Sequence, residues 1–382
     1  MSAGTDPIRL GVVGVAGIGQ AHLFAGSMLE EYDLVAACDI ADEPRAKAAA
    51  DFGAASFADA ADLFASGTVD AVVIATPPST HAQLIRDALA AGLHVYCEKP
   101  LMPTAAAGRK LDGLALAADR VVQVGLQFRF QRSARAAYDL IQAGEIGDIF
   151  RADLAATNWF RSQQYFATAP WRGTWRASGG GVLMSQAVHQ IDTLVWLVGL
   201  PSNVTAWARR ARHVAQVEDD VVAFLEYPNG ARGTIVASTT DPVGVDAVTV
   251  HGERGTLSIE GFRLRRATFG DGSQGAQQLT DESSEDFDVV PVEWCDVVEP
   301  AGKSEWFDMM LDCHRDFIGA IRDGRPAANP PAEASRALEL INALYLSAVL
   351  GVPVTLPIDA SVYDGVFSDL STGALELPTR KR

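Results

Sequence analysis

Ile8-Arg9-Leu10-Gly11-Val12-Val13-Gly14-Val15-Ala16-Gly17-Ile18-Gly19-Gln20-Ala21-His22 decides how the first third of this chain folds. An apolar run of strand length ends in glycines, and a helical pattern, Ile18–Leu29, follows at once. Gly14, Ala16 and Gly19 fall at the three positions of the glycine fingerprint that turns a strand into a helix against a dinucleotide pyrophosphate. Unsatisfied N–H groups and the helix dipole favour an anion there, so the turn, Gly17 and Ile18 included, is the expected phosphate cradle. Ala16 departs from the pattern at the middle position, where its methyl crowds the pyrophosphate. Asp39 follows Gly19 by 20 residues, at the end of the second apolar run. A carboxylate there binds the ribose hydroxyls of NAD and repels a 2′-phosphate, although Arg45 nearby leaves NADP open. Asp39 also reads as a cap for the helix that follows.

Working outward, Leu34–Cys38, Ala71–Ala75, Leu93–Cys97 and Val121–Val124 are further strand candidates. They alternate with helical patterns at Asp42–Phe52, Thr80–Ala91 and Thr104–Ala118. The strands lack polar alternation, which suits burial on both faces, and the repetition predicts a doubly wound parallel Rossmann sheet over residues 1–128. After residue 129 the pattern changes. A helix at Ser133–Gln142 precedes extended segments at Gly147–Ala155, Asn203–Ala208, Asp220–Tyr227 and Gly233–Thr239, with Pro228-Asn229-Gly230 as a tight turn. Ala247–His251 and Leu257–Glu260 flank Gly252-Glu253-Arg254-Gly255 and continue an antiparallel meander. Residues 129–382 are therefore expected to form an α+β domain with one broad sheet, closed by helices at Trp306–Arg322 and Ala332–Leu350. The stretch between Arg266 and Lys303 has no basic residue, and its acidic run 281–286 reads as a solvated loop or hairpin. The terminal Thr379-Arg380-Lys381-Arg382 is expected to fray.

The chain has 382 residues, 48% of them hydrophobic and 21% charged, as in an ordinary globular protein. Its 31 basic and 48 acidic side chains give a net charge of −17, which repels nucleic acid and anionic membranes, so neither is an expected partner. Cys38, Cys97, Cys295 and Cys313 show no paired spacing and read as reduced, mostly buried thiols. With no signal-peptide pattern at the start and no long apolar span, a cytoplasmic protein is expected. No His-Glu-x-x-His or cysteine–histidine spacing appears, so no metal is expected. His22, His94, His213, His251 and His314 are assigned structural or surface roles.

The second informative stretch is Gly180-Gly181-Val182-Leu183-Met184-Ser185-Gln186-Ala187-Val188-His189-Gln190-Ile191-Asp192. Read as one helix entered through glycines, it brings Ser185, His189 and Asp192 to one side. Histidine suits proton transfer near neutral pH, and Ser185 either binds a substrate hydroxyl or orients His189 one turn away. Just before it, Trp159, Phe160, Tyr165, Phe166, Trp171 and Trp175 interleave with Arg161, Arg172 and Arg176. Aromatic faces pack on the C–H surfaces of sugars or rings, and arginines bind hydroxyl or carboxylate oxygens. The same pattern reads equally as a covering loop or subunit contact. Arg161, Trp171 and Arg172, with Asp192 and with Arg129 of Gln127-Phe128-Arg129-Phe130, are the candidate substrate contacts.

Three separated motifs now coincide: the Gly14–His22 turn, Ala75-Thr76-Pro77-Pro78-Ser79-Thr80-His81, and Cys97-Glu98-Lys99-Pro100. With the segment Gly179–Asp192 they resemble the Gfo/Idh/MocA family of NAD(P)-dependent oxidoreductases, over nearly the whole chain to Pro353–Pro357. The resemblance implies an amino-terminal Rossmann domain and a carboxy-terminal α/β domain with a large, mostly antiparallel sheet that binds substrate and builds homodimers or homotetramers. Lys99 matches the family's catalytic lysine and His189 its catalytic histidine, while Thr76, Pro77, His81, Glu98 and Lys99 match positions that line the nicotinamide cofactor. Many members carry aspartate where Ser185 stands. The implied reaction moves hydride between NAD and a secondary alcohol or carbonyl of a sugar, polyol or related cyclic alcohol. His189 would be the acid/base, and Lys99, after the carboxyl end of the strand Leu93–Cys97, would stabilise the alkoxide. The Ser-Gln-x-x-His-Gln-x-Asp wording is also similar to members that oxidise aromatic dihydrodiols. A non-catalytic nucleotide-dependent sensor is the remaining alternative, which Ser185 and Ala16 leave open and which the pair Lys99 and His189 weighs against.

Overall fold

Strands β1 (Ile8–Val13), β2 (Tyr32–Cys38), β3 (Ala55–Phe57), β4 (Ala71–Ile74), β5 (His94–Cys97) and β6 (Val122–Val124) are short because each crosses the core once. In the computed structural model, which describes residues 6–269, 292–302 and 304–379, they form one parallel sheet in the order β3-β2-β1-β4-β5-β6. Leu10, Val12, Val72, Val73 and Val95 are fully buried, as strands covered on both faces require. Helices α1 (Ile18–Met28), α2 (Asp42–Phe52), α3 (Ala60–Ala65), α4 (Pro78–Ala90) and α5 (Ala105–Ala118) connect them. α4 begins two residues earlier than the pattern predicts because proline is accepted at the first helical position. β3 and α3 were not anticipated. β3 has three residues, and α3 is a six-residue helix whose start is set by Asp59 accepting from the Ala61 amide.

The described residues divide into two compact units. The first contains the chain through Gln127 together with Arg176–Gly179 and Phe307–Leu338. The expected domain of residues 129–382 therefore does not stay together. The helix Glu305–Asp323 buries Cys313, His314 and Phe317, and His314 meets His22, Tyr32 and Tyr96 of the first unit. A contiguous cut of the sequence cannot anticipate such a return.

The second unit holds α6 (Arg132–Gln142), β7 (Ile149–Ala156), α7 (Gln163–Ala167), the short helix α9 (Val182–Ser185) followed by α10 (Val188–Val198), and a large sheet, while the short helix α8 (Trp175–Ser178) belongs from Arg176 onward to the first unit. That sheet adds β8 (Asn203–Arg209), β9 (Asp220–Glu226), β10 (Arg232–Ser238), β11 (Asp246–Gly252), β12 (Gly255–Glu260), β13 (Arg263–Phe269), β14 (Val292–Val298) and β15 (Val354–Thr355). Among the described residues its order is β14-β13-β12-β11-β7-β10-β9-β8-β15, antiparallel throughout except where β7 meets β10. β8 and β9 alternate strictly, burying Val204, Ala206 and Ala208 and Val221, Ala223 and Leu225 while Trp207, Val222 and Phe224 stay exposed. The acidic run 281–286 lies outside the described residues. Thr379, expected to fray, instead bridges to Arg210, whose amide donates to the Pro378 carbonyl.

Candidate active site

The glycine turn is built by close backbone approach. A side chain at Gly19 would overlap the Gly14 carbonyl oxygen, and the Gly19 amide already donates to Ala16 O at 3.0 Å. No side chain caps α1 and its first turn has no acidic residue, which leaves its amino end suited to an anion. Ala16 and Gly17 are exposed there and Ile18 half-buried. Asp39 secures the turn: its carboxylate accepts from the Val15 amide at 3.0 Å and from the Ala41 amide at 2.9 Å. The guanidinium of Arg45 donates to the Asp39 carbonyl at 2.7 Å and pairs with Asp42, so it is already committed within the protein.

Gly14, Thr76 and Lys99 each follow the carboxyl end of a strand, β1, β4 and β5, and these three are neighbours in the sheet. That edge, where strand order reverses, is where open parallel sheets bind nucleotides. Pro77 caps α4, and the Thr76 and Thr80 hydroxyls share a hydrogen bond of 2.6 Å. His81, expected to line the cofactor, is fully buried, with Nδ1 3.1 Å from the Pro100 carbonyl and Nε2 2.8 Å from the Thr76 carbonyl. It ties the Thr76 turn to the Lys99-Pro100 segment.

Glu98 likewise points inward. Its Oε2 accepts from the Lys99 amide at 3.1 Å, and its Oε1 lies 3.0 Å from His22 Nε2. His22 Nδ1 is 2.9 Å from His314 Nε2, and His314 Nδ1 is 3.2 Å from the Tyr32 hydroxyl. One proton per imidazole satisfies every link, with Tyr32 donating to His314, His314 to His22 and His22 to Glu98. Burial raises the Glu98 carboxyl, but the His22 hydrogen bond together with the Lys99 charge and amide holds it below its ordinary range. His22 and His314 thus join the support of Lys99. Only the place of His22 at the end of the glycine motif hinted at this.

In the second unit, the single helix expected through Ser185, His189 and Asp192 is broken. α9 ends at Ser185, Gln186 and Ala187 form a turn, and α10 starts at Val188. Glu218, a residue that sequence reasoning missed, holds the amino end of α9. Its carboxyl accepts from the amides of Gly181 at 2.9 Å and Leu183 at 3.1 Å and from the Tyr345 hydroxyl at 2.8 Å, which fixes α9 from its amino end. Gly181 passes so close to the Glu218 backbone that a side chain there would overlap its carbonyl. Burial pushes the Glu218 carboxyl up to about 7 against those three donors. His189 is 6% exposed, and its ring stacks on Phe128 with centroids 4.7 Å apart and planes 17° apart.

Arg129 and Asp192, both expected at the substrate, engage each other. Two hydrogen bonds of 2.8 and 2.7 Å join them, with side chains 5% and 0% exposed. Burial without this mutual pairing would be prohibitive, so the pair locks the segment after Gln127 to α10. Ser185 lines a cavity with Arg161, Tyr165, Trp171, Arg172 and Gln186. Gln186 accepts from Arg161 Nη2 at 2.8 Å and donates to the Tyr165 hydroxyl at 3.0 Å. His213, paired with Asp219, sits 2.7 Å from the Arg161 carbonyl and holds that loop. Arg176 is exposed and belongs to the first unit. Among the described residues no group of three or more metal-type ligands assembles, and no helix is long and apolar enough to cross a membrane.

Residues 8–126 match the family described as oxidoreductase family, NAD-binding Rossmann fold, and residues 134–258 match the GFO/IDH/MocA C-terminal domain. The chain is 30% identical to the rhizopine catabolism protein MocA of Rhizobium meliloti over 240 residues, 62% of this chain and 73% of that one. It is 32% identical to an inositol 2-dehydrogenase of Acidiphilium cryptum over 260 residues, 66% of this chain and 74% of that one. Among solved structures, the WlbA dehydrogenase from Bordetella pertussis in complex with NADH and UDP-GlcNAcA superposes with a TM-score of 0.77 at 28% identity, covering 92% of this chain and 100% of that chain.

Proposed function

The chain belongs to the Gfo/Idh/MocA family of oxidoreductases, with an NAD-binding Rossmann domain, and from that premise we propose that it oxidises a secondary alcohol of a sugar, polyol or related cyclic alcohol. His189 takes the hydroxyl proton and Lys99 stabilises the developing alkoxide. Bound NAD supplies the hydride acceptor. The substrate C–H bond breaks with its electron pair leaving as hydride, the O–H proton passes to His189, and a carbonyl forms. Phe128 fixes the plane of the imidazole that receives the proton. Glu98, backed by His22 and His314, holds the Lys99 backbone through its amide.

The observation that carries this reading is the alignment of Gly14, Thr76 and Lys99 at the ends of three adjacent parallel strands. A ligand sensor needs the phosphate cradle and the ribose carboxylate but no lysine at the third position. The relative named inositol 2-dehydrogenase, and the WlbA dehydrogenase in complex with UDP-GlcNAcA, support a polyol or sugar substrate. Asp39, together with the commitment of Arg45 to Asp39 and Asp42, supports NAD over NADP. Trp207 and Phe224, 59% and 54% exposed on one sheet face, support assembly of a homo-oligomer through that face. NADH formation with a panel of cyclic polyols, sugars and diols tests the reading. Turnover of a polyol or sugar is expected, and NADH binding with no turnover of any member would favour a sensor.

A further inference from the structure

We infer that the substrate bears an anionic substituent, a carboxylate or a phosphate, which the guanidinium groups of Arg161 and Arg172 bind in the cavity beside Ser185. This rests on the reading of the chain as an alcohol oxidoreductase, and it narrows the substrate from polyols in general to acidic sugars or sugar phosphates.

Both arginines line the same cavity as Ser185 and Gln186. Neither has a carboxylate within ion-pair distance among the described residues, although the chain carries 48 acidic against 31 basic side chains. Arg151, Arg209 and Arg210 of the same unit each reach an aspartate or glutamate. Arg161 and Arg172 are gathered on one ring instead, their guanidinium carbons 4.9 and 4.2 Å from the centre of Tyr165. Each also lies over a tryptophan, Trp159 for Arg161 and Trp171 for Arg172. The nearby carboxyls are occupied elsewhere. Glu218 serves Gly181, Leu183 and Tyr345, and Asp219 serves His213 and the amides of residues 211–213.

The polar partners that do reach the two guanidiniums are neutral. Arg161 donates to Gln186 and to the Phe160 carbonyl, and Arg172 to the Thr168 hydroxyl and the Tyr165 carbonyl. These bonds orient the forks and leave their charge in place. The Nε–H of each is buried with no acceptor among the described residues. Two half-buried like charges on one ring repel each other and want an anion. A substrate hydroxyl would satisfy a donor without neutralising the pair. A carboxylate or phosphate does both, and planar guanidiniums match its geometry.

D-glucuronate, D-glucose 6-phosphate and D-glucose differ chiefly in this substituent and serve as probes. In the wild-type enzyme, kcat/KM for at least one charged probe should exceed that for glucose by about 10-fold or more, since hydrogen bonds to charged groups are the strong class. Which charged probe wins separates a carboxylate site from a phosphate site. In R161Q and R172Q the charged-to-neutral ratio should fall toward one, and R172K should restore part of it. Glucose used as well as both charged probes overturns the inference and leaves the redox reading standing. If no probe turns over, titrating the NADH-bound protein decides: tighter binding of a charged probe than of glucose, lost in R172Q, upholds the anion site, and equal or absent binding overturns it. Melting temperatures of the variants separate misfolding from loss of charge.

Discussion

The Phe128 ring lies flat against the His189 imidazole, 4.7 Å between centroids and 17° between planes. Phe128 opens the second unit and His189 lies in the first turn of α10, so the contact joins two elements far apart in sequence. The stack restricts rotation of a side chain proposed to carry a proton. Its worth is about 0.5–1.5 kcal/mol. Phe128→Ala should lower kcat by about 3- to 10-fold if that energy serves alignment, with NADH affinity held. Phe128→Tyr should recover most of the loss. An unchanged kcat in Phe128→Ala, measured by steady-state NADH formation, would show that the stack is packing alone.

The buried pair of Arg129 and Asp192 makes a prediction about stability. Removing one partner strands a buried charge, so Asp192→Asn should cost about 3–5 kcal/mol in urea denaturation. Combining Arg129→Met with Asp192→Leu should regain most of that. A double variant no better than the single one would mean the pair holds the fold by geometry that apolar side chains cannot replace.

Glu218 predicts how stability depends on pH. A carboxyl raised on folding, here from 4.5 to about 7, contributes its stability below the unfolded value and loses it as pH rises through the folded one. Wild type should therefore lose stability relative to Glu218→Gln between those two pH values, by about 3 kcal/mol at most. Denaturation curves at several pH values read this directly. A flat difference would mean that the three donors keep the carboxylate ionised.

Much of the first unit was legible because buried parallel strands declare themselves as apolar runs and the glycine turn has few structural uses. β3 and α3 escaped because three- and six-residue elements leave no periodicity to count. The break between Ser185 and Val188 was invisible for a different reason. Residues 182–198 carry the spacing of one helix throughout, and nothing in that spacing marks the turn at Gln186 and Ala187. The pairing of Arg129 with Asp192, and the structural role that His22 and His314 take under Glu98, likewise depend on partners far along the chain that spacing does not reveal.

Asp39 binds the glycine turn through Val15 and the start of α2 through Ala41, so its replacement has two consequences. Asp39→Asn keeps one acceptor oxygen but removes the charge that repels a 2′-phosphate. NADH should bind about 10-fold more weakly, and discrimination against NADPH should shrink. Fluorescence titration with both nucleotides checks this. Tighter NADPH than NADH binding in the wild type would contradict the choice of cofactor.

The central claim is that His189 moves the proton of an alcohol whose hydride goes to NAD. Turnover by His189→Ala, assayed on the best substrate of the polyol and sugar panel, tests it most directly. The account predicts that kcat falls about 100- to 10,000-fold while NADH affinity stays within about threefold. A variant that turns over as fast as the wild type would contradict it.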